Sequence, residues 1–261
     1  RMKHIFCPHY TTISYLILYQ PTCDIHDTVQ SFSLTKYLHT MPTSEASATK
    51  KGNKWFPLES NPSLLNSYIS KLGFDTSLYQ FVDVFSTEEW ALGMIPPGTA
   101  AVVFLYPITP VQEEFRENER DSLLSEAATN DAASVWHIKQ RIGNACGTIG
   151  ILHALANIPD PLKVAAIPSD SWLGKFYNDC PTQLSSIVKA EILENDDEIE
   201  SKHDAATSSE QNQTDRGDID DELVTHFVAI AHVDGGLYEL DGRKEGPVRH
   251  GDTTPETFLK D

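Results

Sequence analysis

Basic residues are scarce in this chain of 261 residues: 20 Lys and Arg stand against 38 Asp and Glu, a formal net charge of −18. Such a charge repels phosphates and suits a partner with a basic surface, so we expect no nucleic-acid partner. Long hydrophobic runs are also missing. The apolar run at residues 13–19 is too short to span a membrane, so we expect no membrane association either.

Cysteine is rare as well, with four residues in the whole chain. Cys7 and His9 could begin a metal site, but no second cysteine pair follows at ligand spacing, so we expect no metal. Only Cys146 and Cys180 lie beyond the first forty residues, and no clear secretion signal is present. These features favour a reducing compartment, and we expect a cytoplasmic protein.

Cys146 stands where an apolar helical run begins. Apolar residues recur at helical spacing around it, namely Ala145, Ile149, Leu152 and Ala156. Cys146 should therefore lie in the first turn of a helix, where free N–H groups and the positive end of the helix dipole favour a nucleophilic thiolate. On this segment alone, a buried and inert cysteine is an equally good interpretation.

Residues 226–242 have the pattern of a β-hairpin, because two β-rich runs flank a turn sequence. If Asp234 and Gly235 are the central turn residues, His226 and Asp241 become diagonal neighbours within reach of an imidazole–carboxylate hydrogen bond. The carboxylate would orient the imidazole and leave its other nitrogen for a thiol. A slip of one residue in the register would put the two side chains on opposite faces.

Two other histidines could compete with His226 as the base. His153 lies two helical turns past Cys146, about 10 Å along the helix axis, which is too far for direct proton transfer. His232 lies near the hairpin turn, far from Asp241. We therefore expect both to be core or surface residues.

Three further segments have patterns of secondary structure. Apolar spacing over residues 63–72, closed by Gly73, predicts a helix, and the apolar run 100–106 predicts a buried strand. Residues 135–139 could form a short strand that delivers Gln140.

These segments resemble the motifs of a known enzyme family. Residues 144–150, with Gln140 ahead of them, resemble the nucleophile motif of the ubiquitin carboxyl-terminal hydrolases. Residues 226–244 resemble the His/Asp motif of the same family, and within them residues 240–244 look like its small branch without extensions. Three more segments resemble the beginning of the family domain and its early strands: residues 55–62, 80–85 and 101–108.

The resemblance implies a role for each site residue. Cys146 is the expected nucleophile toward the carbonyl at the C-terminal glycine of ubiquitin. His226 is expected to take its proton, and Asp241 is expected to hold His226. Gln140 is expected to donate a side-chain N–H to the oxyanion. The implied reaction is acyl transfer through a thioester that water hydrolyses, without a metal or an organic cofactor.

The resemblance also implies an α/β (α+β) fold: a papain-like cysteine hydrolase sandwich whose mostly antiparallel central sheet is flanked by helices, with a knotted chain path. We expect the catalytic domain at residues 50–261, without its last helix and strand, because the chain stops soon after the His/Asp motif. Residues 1–49 are expected to be a disordered or extraneous extension, with Met41 as a plausible start of the natural protein.

The segment before His226 is acidic, with thirteen Asp or Glu between Glu191 and Glu222. By composition it is a mobile, solvated surface loop. In the family, however, the segment before the histidine strand crosses over the active site. We therefore expect residues 196–221 to be a crossover loop that favours small or unfolded leaving groups.

Three functions stay open at this stage. The leading one is a cysteine deubiquitinase that acts as a monomer on ubiquitin, with the related modifier NEDD8 as a second candidate partner. The second is a catalytically impaired ubiquitin-binding module. The third is another Cys/His/Asp acyl-transferring enzyme, such as an arylamine acetyltransferase or a transglutaminase. The spacings from Gln140 to Cys146 and from His226 to Asp241 favour the first.

Overall fold

Six strands form one sheet at the centre of the computed structural model, which describes residues 14–19, 54–95, 98–126, 133–212 and 223–261. The strands are β1 (Ser14–Tyr19), β2 (Gln80–Val84), β3 (Thr99–Pro107), β4 (Thr225–Val233), β5 (Gly236–Leu240) and β6 (Val248–Asp252). Their order in the sheet is β2-β1-β3-β4-β5-β6, and every neighbouring pair is antiparallel. The predicted antiparallel α/β sandwich is confirmed, whereas its knotted path and missing last elements stay predictions.

Helices flank this sheet. In the described ranges they are α1 (Pro62–Leu72), α2 (Glu89–Leu92), α3 (Pro110–Glu126), α4 (Cys146–Ala156), α5 (Asp160–Ala166), α6 (Trp172–Asp179), α7 (Ser186–Glu194) and α8 (Asp197–Thr207). None of the helices in these ranges has the length and apolar character needed to cross a membrane.

The helix predicted over residues 63–72 is confirmed as α1. The side chain of Asn61 caps it by accepting hydrogen bonds from the N–H groups of Ser63 and Leu64. At its other end Gly73 has a φ of 97°, a left-handed conformation that glycine adopts without a steric penalty. The Gly73 signal in the sequence therefore corresponds to a real cap.

Helix α4 is buried along its whole length and packs against β3 and β4. Its glycines allow a close approach. A Cβ at Gly147 would come within 3.0 Å of the Leu58 side chain and 3.4 Å of the Phe227 ring. Because the helix lies so close to β4, its first residue, Cys146, is carried next to the strand that holds His226.

Strand β1 lies inside the sheet, hydrogen-bonded to β2 on one side and to β3 on the other, and Leu18 is fully buried. The prediction of a disordered or extraneous extension over residues 1–49 is therefore wrong for Ser14–Tyr19. Local patterns do not reveal this strand, because its pairing partners lie far away in the sequence. The rest of residues 1–49 lies outside the described residues.

Residues 135–139 do not form the short strand that the sequence suggested. They run as an extended segment whose backbone bonds go to loops and helix ends: the N–H of Lys139 donates to the carbonyl of Ser186, and the N–H of Gln140 donates to the carbonyl of Gly242. The segment does deliver Gln140 beside the end of β5. It does so without a strand partner.

The first half of the predicted crossover loop is helical, as α8. Asp196 caps this helix, accepting hydrogen bonds from the N–H groups of Glu198 and Ile199, and acidic residues in the first turn suit the positive end of the helix dipole. A prediction from charge alone misses the helix, because the residues that bury it are sparse. They are Ile199, His203, Ala206 and Thr207. Residues 213–222 lie outside the described residues.

The place of β1 can be tested by truncation. A chain that begins at Met41 lacks the strand that β2 and β3 share, together with the buried Leu18. We expect its melting temperature to fall by about 10 °C or more. The truncation removes several kcal/mol of stabilisation from buried apolar surface, and each kcal/mol of unfolding free energy corresponds to about 2–4 °C in a domain of this size.

The matched control for this truncation is a chain that begins at Ile13, which keeps β1. Thermal unfolding followed by circular dichroism compares the two. Equal melting temperatures would contradict the central position of β1.

Candidate active site

Cys146 is the first residue of α4, as predicted, and only 3% of it is exposed. The turn before the helix contains Asn144 with a φ of 60°, a left-handed conformation that asparagine tolerates better than most residues. Ala145 precedes the helix, and no side chain caps its first N–H groups. These donors and the positive end of the helix dipole therefore lie beside the Cys146 sulfur.

The β4–β5 hairpin has the predicted register. Val233 pairs with Gly236, and Asp234 and Gly235 have φ values of 48° and 80°. Positive φ at both central residues is the geometry of a type I′ turn, which matches the twist of the two strands. The turn thereby determines which residues face each other at the far end of the hairpin.

At that far end, His226 and Asp241 form a buried pair in which the Nε2–H of the imidazole donates to Oδ1 of the carboxylate at 2.6 Å. Burial alone would lower the pKa of His226. The charge and hydrogen bond of Asp241, together with a hydrogen bond to Cys146, outweigh burial and raise the pKa of His226 to about 9. Because Nε2 is engaged by Asp241, Nδ1 is the ring nitrogen left for the thiol.

The carboxyl of Asp241 changes in the opposite sense. Burial alone would raise its pKa, but the neighbouring His226 and the backbone N–H of Arg243 hold the pKa of Asp241 well below its ordinary value. At neutral pH the pair is therefore an imidazolium and a carboxylate. Its charges are mutually compensated, which a buried pair requires.

Gln140 lies beside the turn that follows Asp241. Its backbone N–H donates to the carbonyl of Gly242 at 2.7 Å, and its side-chain Nε2 donates to the carbonyl of Ile142 at 3.2 Å. A Cβ on Gly242 would lie 2.8 Å from the Cβ of Gln140, so only glycine permits this approach. An amide carries two N–H groups, and the bond to Ile142 uses one of them.

Two residues just after Asp241 fix the turn. The backbone N–H of Arg243 donates to Oδ1 of Asp241 at 2.8 Å, and its guanidinium pairs with Glu113 of α3. The buried ammonium of Lys244 lies 2.8 Å from the carboxylate of Glu239. The first pair joins α3 to the end of the hairpin, and the second joins the turn to β5, so the backbone that carries Asp241 is fixed in place.

The sequence pattern does not single out Tyr106 or His137, although both touch the His226–Asp241 pair. The ring of Tyr106 packs edge-on against the His226 ring, with centroids 5.8 Å apart, because the two residues face each other across β3 and β4. His137 Nε2 lies 3.0 Å from the backbone oxygen of Asp241. The contact of Tyr106 with His226 can be predicted only if the pairing register of β3 with β4 is known. His137 could be suspected only from its place three residues before Gln140.

The remaining histidines and cysteine take structural positions. His153 is buried and accepts a hydrogen bond from the N–H of Ile138, and burial holds its pKa well below the ordinary value. His232 is partly buried near the Phe258 ring. Cys180 is buried, which raises the pKa of its thiol to about 11. The described ranges contain no group of three or more His, Cys, Asp or Glu placed to hold a metal ion.

The arrangement as a whole connects a thiol at a helix start, an imidazolium and a carboxylate, with an amide donor nearby. This is what thiol-based acyl transfer needs: a nucleophile, a base held in one tautomer by an orienting carboxylate, and N–H groups for a developing oxyanion.

Comparisons with known proteins agree with this chemistry. The sequence profile of the family described as "Ubiquitin carboxyl-terminal hydrolase, family 1" matches residues 55–261. Ubiquitin carboxyl-terminal hydrolase 3 of Arabidopsis thaliana is 40% identical over 216 residues, which is 83% of this chain and 87% of that protein. The human isozyme L1 is 37% identical over 205 residues, or 78% of this chain and 86% of that protein.

Among solved structures, the UCH37 catalytic domain of Trichinella spiralis bound to ubiquitin vinyl methyl ester is similar in fold. The TM-score is 0.56 at 24% identity, and the match covers 77% of this chain and 81% of that one. The profile and the relatives cover most of the chain. This chain is therefore a member of the ubiquitin carboxyl-terminal hydrolases of family 1, a family of cysteine-type deubiquitinases.

Proposed function

We propose that this chain hydrolyses small or unfolded adducts from the C-terminal glycine of ubiquitin, with Cys146 as nucleophile, His226 as base and acid, Asp241 as the group that orients His226, and Gln140 as oxyanion donor. The observation that carries the proposal is the buried pair of His226 and Asp241, with Nε2 and Oδ1 2.6 Å apart and Cys146 close enough to affect the pKa of His226, in a member of this family.

The reaction proceeds in two halves. The Cys146 sulfur attacks the carbonyl carbon of the terminal glycine, and an imidazolium beside the sulfur favours the thiolate form that attacks. As the tetrahedral intermediate collapses, His226 gives its proton to the leaving amine and a thioester remains. His226 then takes a proton from water, whose oxygen attacks the thioester carbonyl. Collapse returns the sulfur and releases ubiquitin with a free carboxylate.

Charge builds up on the carbonyl oxygen in both halves. The second side-chain N–H of Gln140 and the backbone N–H of Cys146 are the donors we propose for that oxygen, since Cys146 is the first residue of α4 and Gln140 lies in the segment that leads into this helix. Loss of one such donor typically lowers the rate by about 10²–10³-fold. Asp241 contributes without touching the substrate, because it keeps the His226 ring in one orientation throughout.

Ubiquitin is the partner we propose, because the relatives are named for its hydrolysis and the similar Trichinella spiralis domain was solved with ubiquitin vinyl methyl ester. The net charge of −18 favours association with a basic surface. Processing of NEDD8, action as a monomer and a cytoplasmic location stay predictions from the sequence. Membership of the family leaves the acetyltransferase and transglutaminase interpretations without support.

The limit on leaving groups is supported by how α8 is anchored. On α8, the Nε2–H of His203 donates to the carbonyl of Phe56 at 2.7 Å, and its Nδ1 lies 2.8 Å from Oγ1 of Thr148, two residues past Cys146. The side chain of Asn212 accepts the N–H of Glu59 at 3.0 Å. These bonds tie the first half of the crossover segment to α4 and to the N-terminal segment of the domain, so it cannot swing away freely.

A catalytically impaired ubiquitin-binding module is the alternative, and the near-complete burial of Cys146 is the observation that favours it. Turnover and binding therefore have to be measured separately.

Replacing Cys146 with Ala tests the proposal directly. With ubiquitin that carries a fluorogenic amide at its C-terminus, we expect turnover to fall to background, while binding of ubiquitin stays within a few-fold of the original. The control is Cys180→Ala, which removes the buried thiol outside the site and is expected to keep turnover. A Cys146→Ala variant that still turns over would refute the nucleophile assignment. An original chain that binds ubiquitin without turnover would support the binding module.

The stability of the chain should depend on pH through His226. Its pKa is raised in the folded state to about 9 from an ordinary value of 6.5, so the stabilisation is complete below about pH 6.5 and is lost as pH rises through about 9. We expect the free energy of unfolding to fall across this interval in urea titrations. The Asp241→Asn variant lacks the carboxylate and should show a smaller fall. Parallel curves for the two proteins would contradict the buried ion pair.

Loosening the crossover segment should change the choice of leaving group. The Asn212→Ala variant removes the bond to Glu59, and we expect kcat/KM for ubiquitin fused to a folded protein to rise several-fold relative to the small amide. Asn195→Ala is the matched control, because that amide bonds to the carbonyl of Glu191 within α7. An unchanged ratio in Asn212→Ala would argue against a size limit set by this contact.

A further inference from the structure

Residues 137–140 connect two parts of the molecule that are far apart in the chain. This short segment bonds to the turn that follows β5 and to the beginning of α7. At the turn, the His137 imidazole bonds to the carbonyl of Asp241, and the N–H of Gln140 bonds to the carbonyl of Gly242. Two consecutive peptide groups, one of them belonging to the proposed orienting residue, are thus held by a single short segment.

The protonation state of His137 follows from its partners. The backbone oxygen of Asp241 can only accept, so Nε2 carries the proton in the 3.0 Å bond. Nδ1, 2.9 Å from Oγ of Ser186, is then the acceptor of the serine hydroxyl. Burial, aided by the nearby cations of Lys139 and Lys189 and opposed by Asp241, lowers the pKa of His137 to about 4. The ring is therefore neutral at physiological pH, with one defined tautomer.

Helix α7 provides the fixed end of the connection. The hydroxyl of Ser186 bonds to the His137 ring, and its carbonyl accepts the N–H of Lys139 at 3.2 Å. The buried ammonium of Lys189 donates to the carbonyl of His137 at 3.3 Å. With three bonds to one helix turn, the segment cannot shift along its length without breaking several of them at once.

The carbonyl of Asp241 receives two donors of different kinds. The N–H of Lys244 comes from the same turn, three residues on, and moves with it. His137 comes from a segment 104 residues away in the chain and is anchored to α7. Only the second donor can hold the Asp241 peptide relative to the rest of the site. Rotation of this peptide would carry the carboxylate away from the Nε2 atom of His226.

We propose that His137 is a positioning residue: its Nε2–H holds the Asp241 peptide at a set distance from Gln140, and thereby aligns the orienting carboxylate and the oxyanion donor with each other. This inference rests on the proposed function, because it assigns His137 to the alignment of residues placed in that reaction. His137 does not touch the substrate. Its effect passes through Asp241 to His226.

Two amide substitutions separate this role from packing. A glutamine at position 137 can place its N–H near the position of Nε2, whereas an asparagine places its amide near Nδ1. His137→Gln therefore keeps a donor for the Asp241 carbonyl, and His137→Asn keeps only the contact with Ser186. Both lose the ring and its stacking on His153, whose centroid lies 4.7 Å away. If His137 only filled space, the two substitutions would lower the activity to the same extent.

We expect kcat for the ubiquitin amide to fall about 10- to 100-fold in His137→Asn and only a few-fold in His137→Gln, with KM nearly unchanged in both, because misplaced reacting groups lower the rate rather than the binding. The imidazole of His226 should titrate at lower pH in His137→Asn than in the original chain, measured by nitrogen-15 NMR of the histidine side chains, because His226 loses part of its carboxylate partner. Ser186→Ala leaves the Asp241 bond in place and should resemble the Gln variant.

Equal losses of kcat in His137→Asn and His137→Gln would overturn the positioning role, as would losses of kcat that simply follow the melting temperatures of the two variants. So would wild-type rates in His137→Asn. If the unsubstituted chain shows no turnover that depends on Cys146, the proposed function fails on its own. The His226 titrations of the two variants then still decide whether His137 positions Asp241.

Discussion

The buried ion pair between His226 and Asp241 is the interaction on which the rest of the site depends. Removing two charges from water is costly, and an unpaired buried charge costs several kcal/mol, so each partner requires the other. Their mutual attraction raises the pKa of the imidazole to about 9 and lowers that of the carboxyl. A proton is thereby stored next to the Cys146 sulfur at neutral pH, where it can later be given to a leaving amine.

Much of the fold serves to hold this pair in register with the nucleophile. The tight turn of the β4–β5 hairpin determines the cross-strand partners, and the glycines of α4 let the helix start lie against β4. The contacts of Arg243 and His137 hold the backbone of Asp241 from two sides. Because these contacts come from α3, from α7 and from the turn itself, a shift of one element is resisted by the others.

The local parts of this arrangement could be predicted from the sequence, whereas the long-range parts could not. The helix start at Cys146, the caps of α1 and the hairpin register all follow from patterns within about twenty residues. Tyr106 reaches His226 only through the pairing of β3 with β4, and His137 reaches Asp241 only through loops. The three overturned expectations all depend on contacts with distant residues: β1 pairs with distant strands, a few buried residues in an acidic segment are enough to form α8, and residues 135–139 bond to distant loops and helix ends rather than to a strand.

At neutral pH, His226 is protonated because Asp241 is beside it. Nitrogen-15 NMR of the histidine side chains, with His226 assigned by comparison with the His226→Gln variant, measures this directly. We expect a doubly protonated imidazole at pH 7 that titrates near pH 9. A neutral His226 at pH 7, with a titration midpoint at or below 6.5, would contradict it.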